Sequence, residues 1–219
     1  MFNQKAITMV KTFITFAILL VLEMGTAQKP KIVIDPGHGG RDSGALGTNG
    51  ILEKEVVLEI ALECIRLNKS LLNDPLEIYL TRYKDTLISL QDRGRLAKSL
   101  KADAFVSIHC NQAPNPRAQG FEIFLHQKNN VHTAPGILAY ALADSLGGQL
   151  QRNLGIKTRG IKWADFQVLR DIHGQIPAIL FETGFISNET EAEYSNKRES
   201  KTAIALAILQ SLIKTFYDD

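Results

Sequence analysis

The chain has little cysteine, a single tryptophan and almost no excess of charge. Only Cys64 and Cys110 occur in 219 residues, so no disulfide framework holds the fold, and whether those two bridge is left open. Lys and Arg number 25 against 23 Asp and Glu, so neither nucleic acid nor an anionic membrane surface is an expected partner. The sequence contains no repeat, no low-complexity tract, no interdomain linker and no His-Glu-x-x-His metal motif. What remains fits one domain with a full core, and a monomer is expected.

The first residues read differently from the rest. Lys5 and Lys11 precede an apolar run from Thr12 to Leu22, and Gly25-Thr26-Ala27 follows. This is the layout of a secretory signal peptide, with residues 1–27 removed after Ala27. The other reading is an uncleaved anchor, but the run is about half the ~20 residues that a spanning helix needs. The expected mature domain is therefore 28–219, exported to the periplasm or cell envelope and not held in the membrane.

Hydrophobic periodicity places the elements. "KIVID" (Lys31–Asp35), "EIYLTR" (Glu77–Arg82), "AFVSIH" (Ala104–His109), Phe121–His126, Phe166–Arg170 and "AILFET" (Ala178–Thr183) are predicted strands. Helices are predicted over Glu53–Leu72, Ser89–Leu100, Pro135–Leu150, from Glu189 to Glu193, and over Thr202–Tyr217. The first carries an apolar stripe of Val57, Ile60, Cys64, Leu67 and Leu71. Strands alternating with helices argue for an α/β domain: a mostly parallel, mixed sheet of six strands with helices on both faces. In such sheets sites form beyond the carboxyl ends of the strands. His38 follows one strand end, His109 closes another and Glu182 a third.

Each of these residues has an ordinary explanation and a chemical one. His38, in "DPGHGG", is a turn residue or a ligand. Glu53 heads the buried stripe, whereas Glu55 shares the solvated face with Glu59 and Glu63. A carboxylate at the head of an apolar stripe needs a partner, which is the helix amides, an Arg, or a cation. His109 is either a core histidine or a ligand. Two imidazoles and one carboxylate make a three-ligand zinc set with a fourth position open. Glu182 ends the most apolar strand, where it meets either an arginine (Arg170 or Arg82) or a reacting proton.

Around these residues the chain resembles the zinc-dependent N-acetylmuramoyl-L-alanine amidases of the amidase-3 family, from Lys31 to about Phe216. "IVIDPGHGGRDSGALG", "GILEKEV", "LTRYKDTLISLQDRGRLA", "ADAFVSIHCNQAP" and "VLRDIHGQIPAILFETGFISN" resemble the family's ordered motifs. The resemblance implies one zinc ion held by His38, Glu53 and His109, with Glu182 as catalytic acid/base. It implies cleavage of the amide joining N-acetylmuramic acid to the L-alanine of the peptidoglycan stem peptide. Asp35 and Asn111 would support the ligands or touch substrate. Arg82 and Arg93 would pair with buried acids or hold a substrate carboxylate. His126, His132 and His173 match no ligand position, and Trp163 lines either a groove or the core. Only Gln127–Thr133 separates the fourth strand from the next helix, too short for the blocking helix of some members, so no obligatory activator is expected. The rival readings are an inactive wall-binding module of the same fold and a zinc peptidase that cuts within the stem.

Overall fold

Lys31–Pro36 is buried on both sides, so this strand belongs in the interior of a sheet covered on both faces. The computed structural model describes residues 28–218, and the expected signal peptide lies outside them. In chain order the elements are β1 (Lys31–Pro36), α1 (Glu53–Ser70), β2 (Glu77–Leu80), α2 (Leu90–Leu100), β3 (Ala104–Asn111), β4 (Phe121–His126), α3 (Ala134–Leu154), β5 (Thr158–Ala164), α4 (Gln167–Arg170), β6 (Ala178–Phe185), α5 (Glu189–Asn196) and α6 (Arg198–Tyr217).

The six strands form one sheet in the order β2-β1-β3-β6-β4-β5. β1, β2, β3 and β6 run parallel, while β4 pairs antiparallel to β6 and carries β5 parallel to itself. The expected mixed α/β architecture is present. The larger core lies on one face, where Ile34, Val106 and Phe181 of the sheet meet Val57 and Ile60 of α1, Leu142 and Leu146 of α3, and Ile208 and Leu212 of α6. On the other face a smaller core joins Val33, Phe105 and Leu180 to Ala97 of α2 and to Val168 and Leu169 of α4. Among the described residues no helix is long and apolar enough to cross a membrane. Cys64 and Cys110 are buried and unbridged.

Three expectations need correction. The predicted strand at Phe166–Arg170 is the single-turn helix α4, which seals the smaller core with Val168 and Leu169. The sixth strand is instead Thr158–Ala164, an edge strand with mostly exposed positions, so it lacks the apolar run that marks the buried strands. Leu71 does not belong to the buried stripe of α1: it is the C-cap and is 58% exposed.

Helix α3 also carries an avoidable instability. Gly147 lies within it, and a methyl group there would stand 3.9 Å from Ile123 and Phe121, an ordinary contact. Gly147→Ala is expected to stabilise the protein by roughly 0.5–1 kcal/mol. The urea midpoint should rise with an unchanged slope; a lower midpoint would show that the space is already filled.

Candidate active site

His38 is presented by a turn that two arginines hold from outside. Its φ is 57°, a left-handed conformation that costs a residue with a Cβ free energy. Three consecutive carbonyls of this turn accept from buried guanidinium groups. Arg93 donates to Pro36 O at 2.9 Å and to His38 O at 2.7 Å. Arg82 donates to Pro36 O at 3.0 Å, to Gly37 O at 2.8 Å and to Lys54 O at 2.7 Å. Arg93 is itself charge-paired, its Nη1 lying 2.6 Å from Asp35 Oδ1 with both side chains buried. Thr81 and Ser107 hydroxyls donate to the same carboxylate. Asp35 thus ties β1 to β3, to α2 and to the residue that follows β2, and Arg93 pairs with a buried acid as expected. Arg82 departs from expectation: it meets backbone carbonyls rather than a carboxylate.

The imidazole of His38 is oriented by Asp42, an acid not singled out from the sequence although it follows in the same glycine-rich loop. A carboxylate only accepts, so Nδ1–H donates to Asp42 Oδ2 at 2.9 Å and Nε2 is left facing the site. Glu53, the first residue of α1, is buried, whereas Glu55 is exposed, as helical phase requires. The carboxylate of Glu53 uses neither an Arg nor the amides of its own helix. It accepts from Ala45 N at 2.8 Å and Cys110 N at 3.0 Å. Its Oε1 lies 3.1 Å from His38 Nε2 and 2.9 Å from His109 Nδ1. Gly37 allows this approach, since a Cβ there would stand 2.2 Å from the His109 ring.

One donor atom from each of His38, Glu53 and His109 therefore lies within 4.8 Å of the others. Burial alone would lower the pKa of His38, but its bonds to Glu53 and Asp42 outweigh this and hold it near 9. Burial would raise Glu53, yet the two imidazoles keep it well below the usual carboxylate range. A cluster that so strongly retains a proton between two imidazoles and a carboxylate is suited to a divalent cation in the same place.

Glu182 stands beside this cluster by sheet register, paired with His109 across β3 and β6. Its Oε2 is buried and meets no hydrogen-bond partner among the described residues. Burial pushes its pKa up to about 7. Neither arginine considered for it is engaged there: Arg170 pairs with Asp165, and Arg82 holds the turn. A cleft of about 740 Å³ is lined by His38, His109 and Glu182 together with the apolar Leu87, Leu90 and Phe166.

Asn111 lies farther out, donating to Glu122 Oε2 at 3.0 Å. Glu122, buried on β4, is the antiparallel register partner of Glu182 and also accepts from Arg159 and Lys162. Arg159 and Lys162 escape a reading of the sequence because β5 does, and Glu122 because its partners do. Among the histidines outside the cluster, His126 pairs with Asp165 and packs against His173, and His132 is exposed. Trp163 is 51% exposed on the edge strand rather than in the core.

The chain is similar to known proteins. A family model described as N-acetylmuramoyl-L-alanine amidase matches residues 32–214. The N-acetylmuramoyl-L-alanine amidase LytC of Bacillus subtilis (strain 168) is 39% identical over 177 residues, 81% of this chain and 34% of its own length. An endolysin of Bacillus phage SPP1 is 40% identical over 166 residues, 75% of this chain and 58% of its own. The chain thus spans between a third and three-fifths of these curated relatives. Among solved structures, N-acetylmuramoyl-L-alanine amidase AmiC2 of Nostoc punctiforme superposes with a TM-score of 0.75 at 36% identity, covering 85% of this chain and 96% of that one. A match that begins at the strand leading into His38 and runs on through Glu182 into the last helix places the chain in the amidase-3 family of N-acetylmuramoyl-L-alanine amidases.

Proposed function

We propose that this protein hydrolyses the amide between the lactyl group of N-acetylmuramic acid and the L-alanine of the peptidoglycan stem peptide. His38, Glu53 and His109 hold one zinc ion, and Glu182 is the catalytic acid/base. The observation that carries this reading is the unpartnered, buried carboxylate oxygen of Glu182 in the register position beside His109. A buried carboxylate oxygen without a hydrogen bond is free to handle a proton, and a pKa near 7 lets Glu182 both take and return one at neutral pH.

Zinc in such a site supplies Lewis-acid chemistry, polarising a carbonyl and acidifying water. The chain does the rest. Asp42 and the two arginine clamps fix His38, and the amides of Ala45 and Cys110 fix Glu53. Glu182 removes a proton from the attacking water and delivers it to the nitrogen of the leaving L-alanine, which departs poorly unless protonated. The cleft between Leu87–Leu90 and Phe166 receives the substrate. The β4–α3 connection is only Gln127–Thr133, too short for a blocking helix, which supports an enzyme that acts without an activating partner. We place it outside the cytoplasm, after removal of residues 1–27, as a monomer acting on the wall.

Purified protein alone is expected to release stem peptides beginning with L-alanine from peptidoglycan, as read by mass spectrometry. Glu182→Gln should lower the rate about 10²–10⁴-fold, the usual contribution of a general acid/base. Metal binding by this variant should persist; cuts within the stem, or full activity of the variant, would overturn the assignment. Proton linkage provides a second check. His38 is protonated at pH 7.5 in the metal-free protein because its pKa is near 9, whereas Glu53 is already ionised. Calorimetric titration with zinc at that pH, in buffers of differing ionisation enthalpy, should show release of about one proton from His38. Release should diminish as the pH passes above 9, and loss of zinc binding in His38→Ala, measured in the same titration, checks that His38 is a ligand.

A further inference from the structure

Beyond Glu182, the sheet carries a second charged group that the reaction described above does not use. His109, Glu182 and Glu122 stand in register across β3, β6 and β4, so they share one face of the sheet. Glu122 Oε1 accepts from Arg159 Nε at 2.5 Å and Lys162 Nζ at 2.6 Å, both residues of β5. Two cations on one carboxylate leave an excess positive charge beside the catalytic carboxylate. Both cationic side chains are 38% exposed, whereas Glu122 is 6% exposed. The Arg159 guanidinium lies 5.0 Å over the Phe185 ring, and Lys162 Nζ lies 5.8 Å from the Phe124 ring. Aromatic faces and Glu122 thus hold the two cationic groups in place.

The contrast with the other arginines near the site is informative. Arg82 and Arg93 are buried and spend their terminal nitrogens on backbone carbonyls and Asp35. Arg159 uses only Nε, and among the described residues its two terminal nitrogens meet no acceptor. A fixed, half-exposed guanidinium with a free fork, beside a lysine, is the arrangement that recognises a carboxylate.

We propose that Arg159 and Lys162 form a carboxylate subsite for the peptide part of the substrate. This rests on the amidase reading. The lactyl carboxyl of the sugar is consumed in the scissile amide, so carboxylates near that bond lie on the peptide side. The peptide therefore runs from Glu182 toward β5, and the sugar occupies the cleft side. Strand spacing puts β5 about 10 Å from the strand of Glu182, and the two side chains reach back over β4. Two residues of extended peptide cover about 7 Å, which brings the second stem residue to the cations. That residue, a glutamate joined through its side chain, keeps a free α-carboxylate unless it is amidated. The subsite selects the free acid over the carboxamide.

The test uses two N-acetylmuramoyl dipeptides, L-alanyl-isoglutamate and L-alanyl-isoglutamine, with the purified protein. Wild type should cleave the acid with a kcat/KM higher by roughly ten-fold or more, the scale of a lost charge-assisted hydrogen bond. Arg159→Met and Lys162→Met should each bring the ratio toward one, mainly through KM on the acid, and Lys162→Arg should restore part of it. Equal cleavage of both substrates by wild type would overturn the subsite. So would variants that lose activity equally on both, which is the mark of a structural role. If wild type cuts neither substrate, release of L-alanyl stem peptides from whole peptidoglycan decides the amidase reading. Calorimetric binding of the two free dipeptides then decides the subsite separately: preference for the acid supports it and equal binding overturns it.

Discussion

The buried pair of Asp35 and Arg93 is the constraint on which the site depends. Both are fully enclosed, where two charges are tolerated only if every polar atom finds a partner. Here they do. Asp35 takes hydroxyls from Thr81 and Ser107, and Arg93 spends its remaining donors on the carbonyls of Pro36, His38 and Ile88. Removing one member of such a pair costs about 3–5 kcal/mol, because the other is left buried and uncompensated. The pair converts the end of a strand into a fixed mount for a histidine in a left-handed conformation. Arg82 braces the same turn from the other side.

Sheet topology supplies the second half of the arrangement. The parallel strands β1, β3 and β6 deliver His38, His109 and Glu182 to one edge, as open parallel sheets do. The reversal at β4 adds what the parallel set lacks. It brings Glu122 level with Glu182 on the far side from His109, and with it the two cations of β5. The site is thus bounded on one flank by the His38–Glu53–His109 cluster and the apolar cleft, and on the other by a charged cluster.

Much of this was legible in the amino-acid order. The apolar runs at Lys31–Asp35, Ala104–His109 and Ala178–Thr183 mark strands buried on both faces, and helical phase alone separates Glu53 from Glu55. Edge strand β5 was not legible. Gly160 and a mostly exposed surface give it no apolar signature, while Phe166, Val168 and Leu169 imitate a strand although they fold as one helical turn. The partners of Arg82 were hidden for a different reason: backbone carbonyls have no residue type, so no sequence pattern points to them. Glu122, Arg159 and Lys162 come together only through the antiparallel insertion of β4, which no local pattern encodes.

The arginine braces have a consequence for what the turn presents. They grip the His38 turn through its carbonyls, away from the imidazole nitrogen that faces Glu53 and His109. In the absence of a cation, a proton on His38 satisfies the same carboxylate. The groups that shape the turn are therefore separate from the group it presents. The turn's shape thus rests on contacts that leave the nitrogen facing Glu53 and His109 uncommitted.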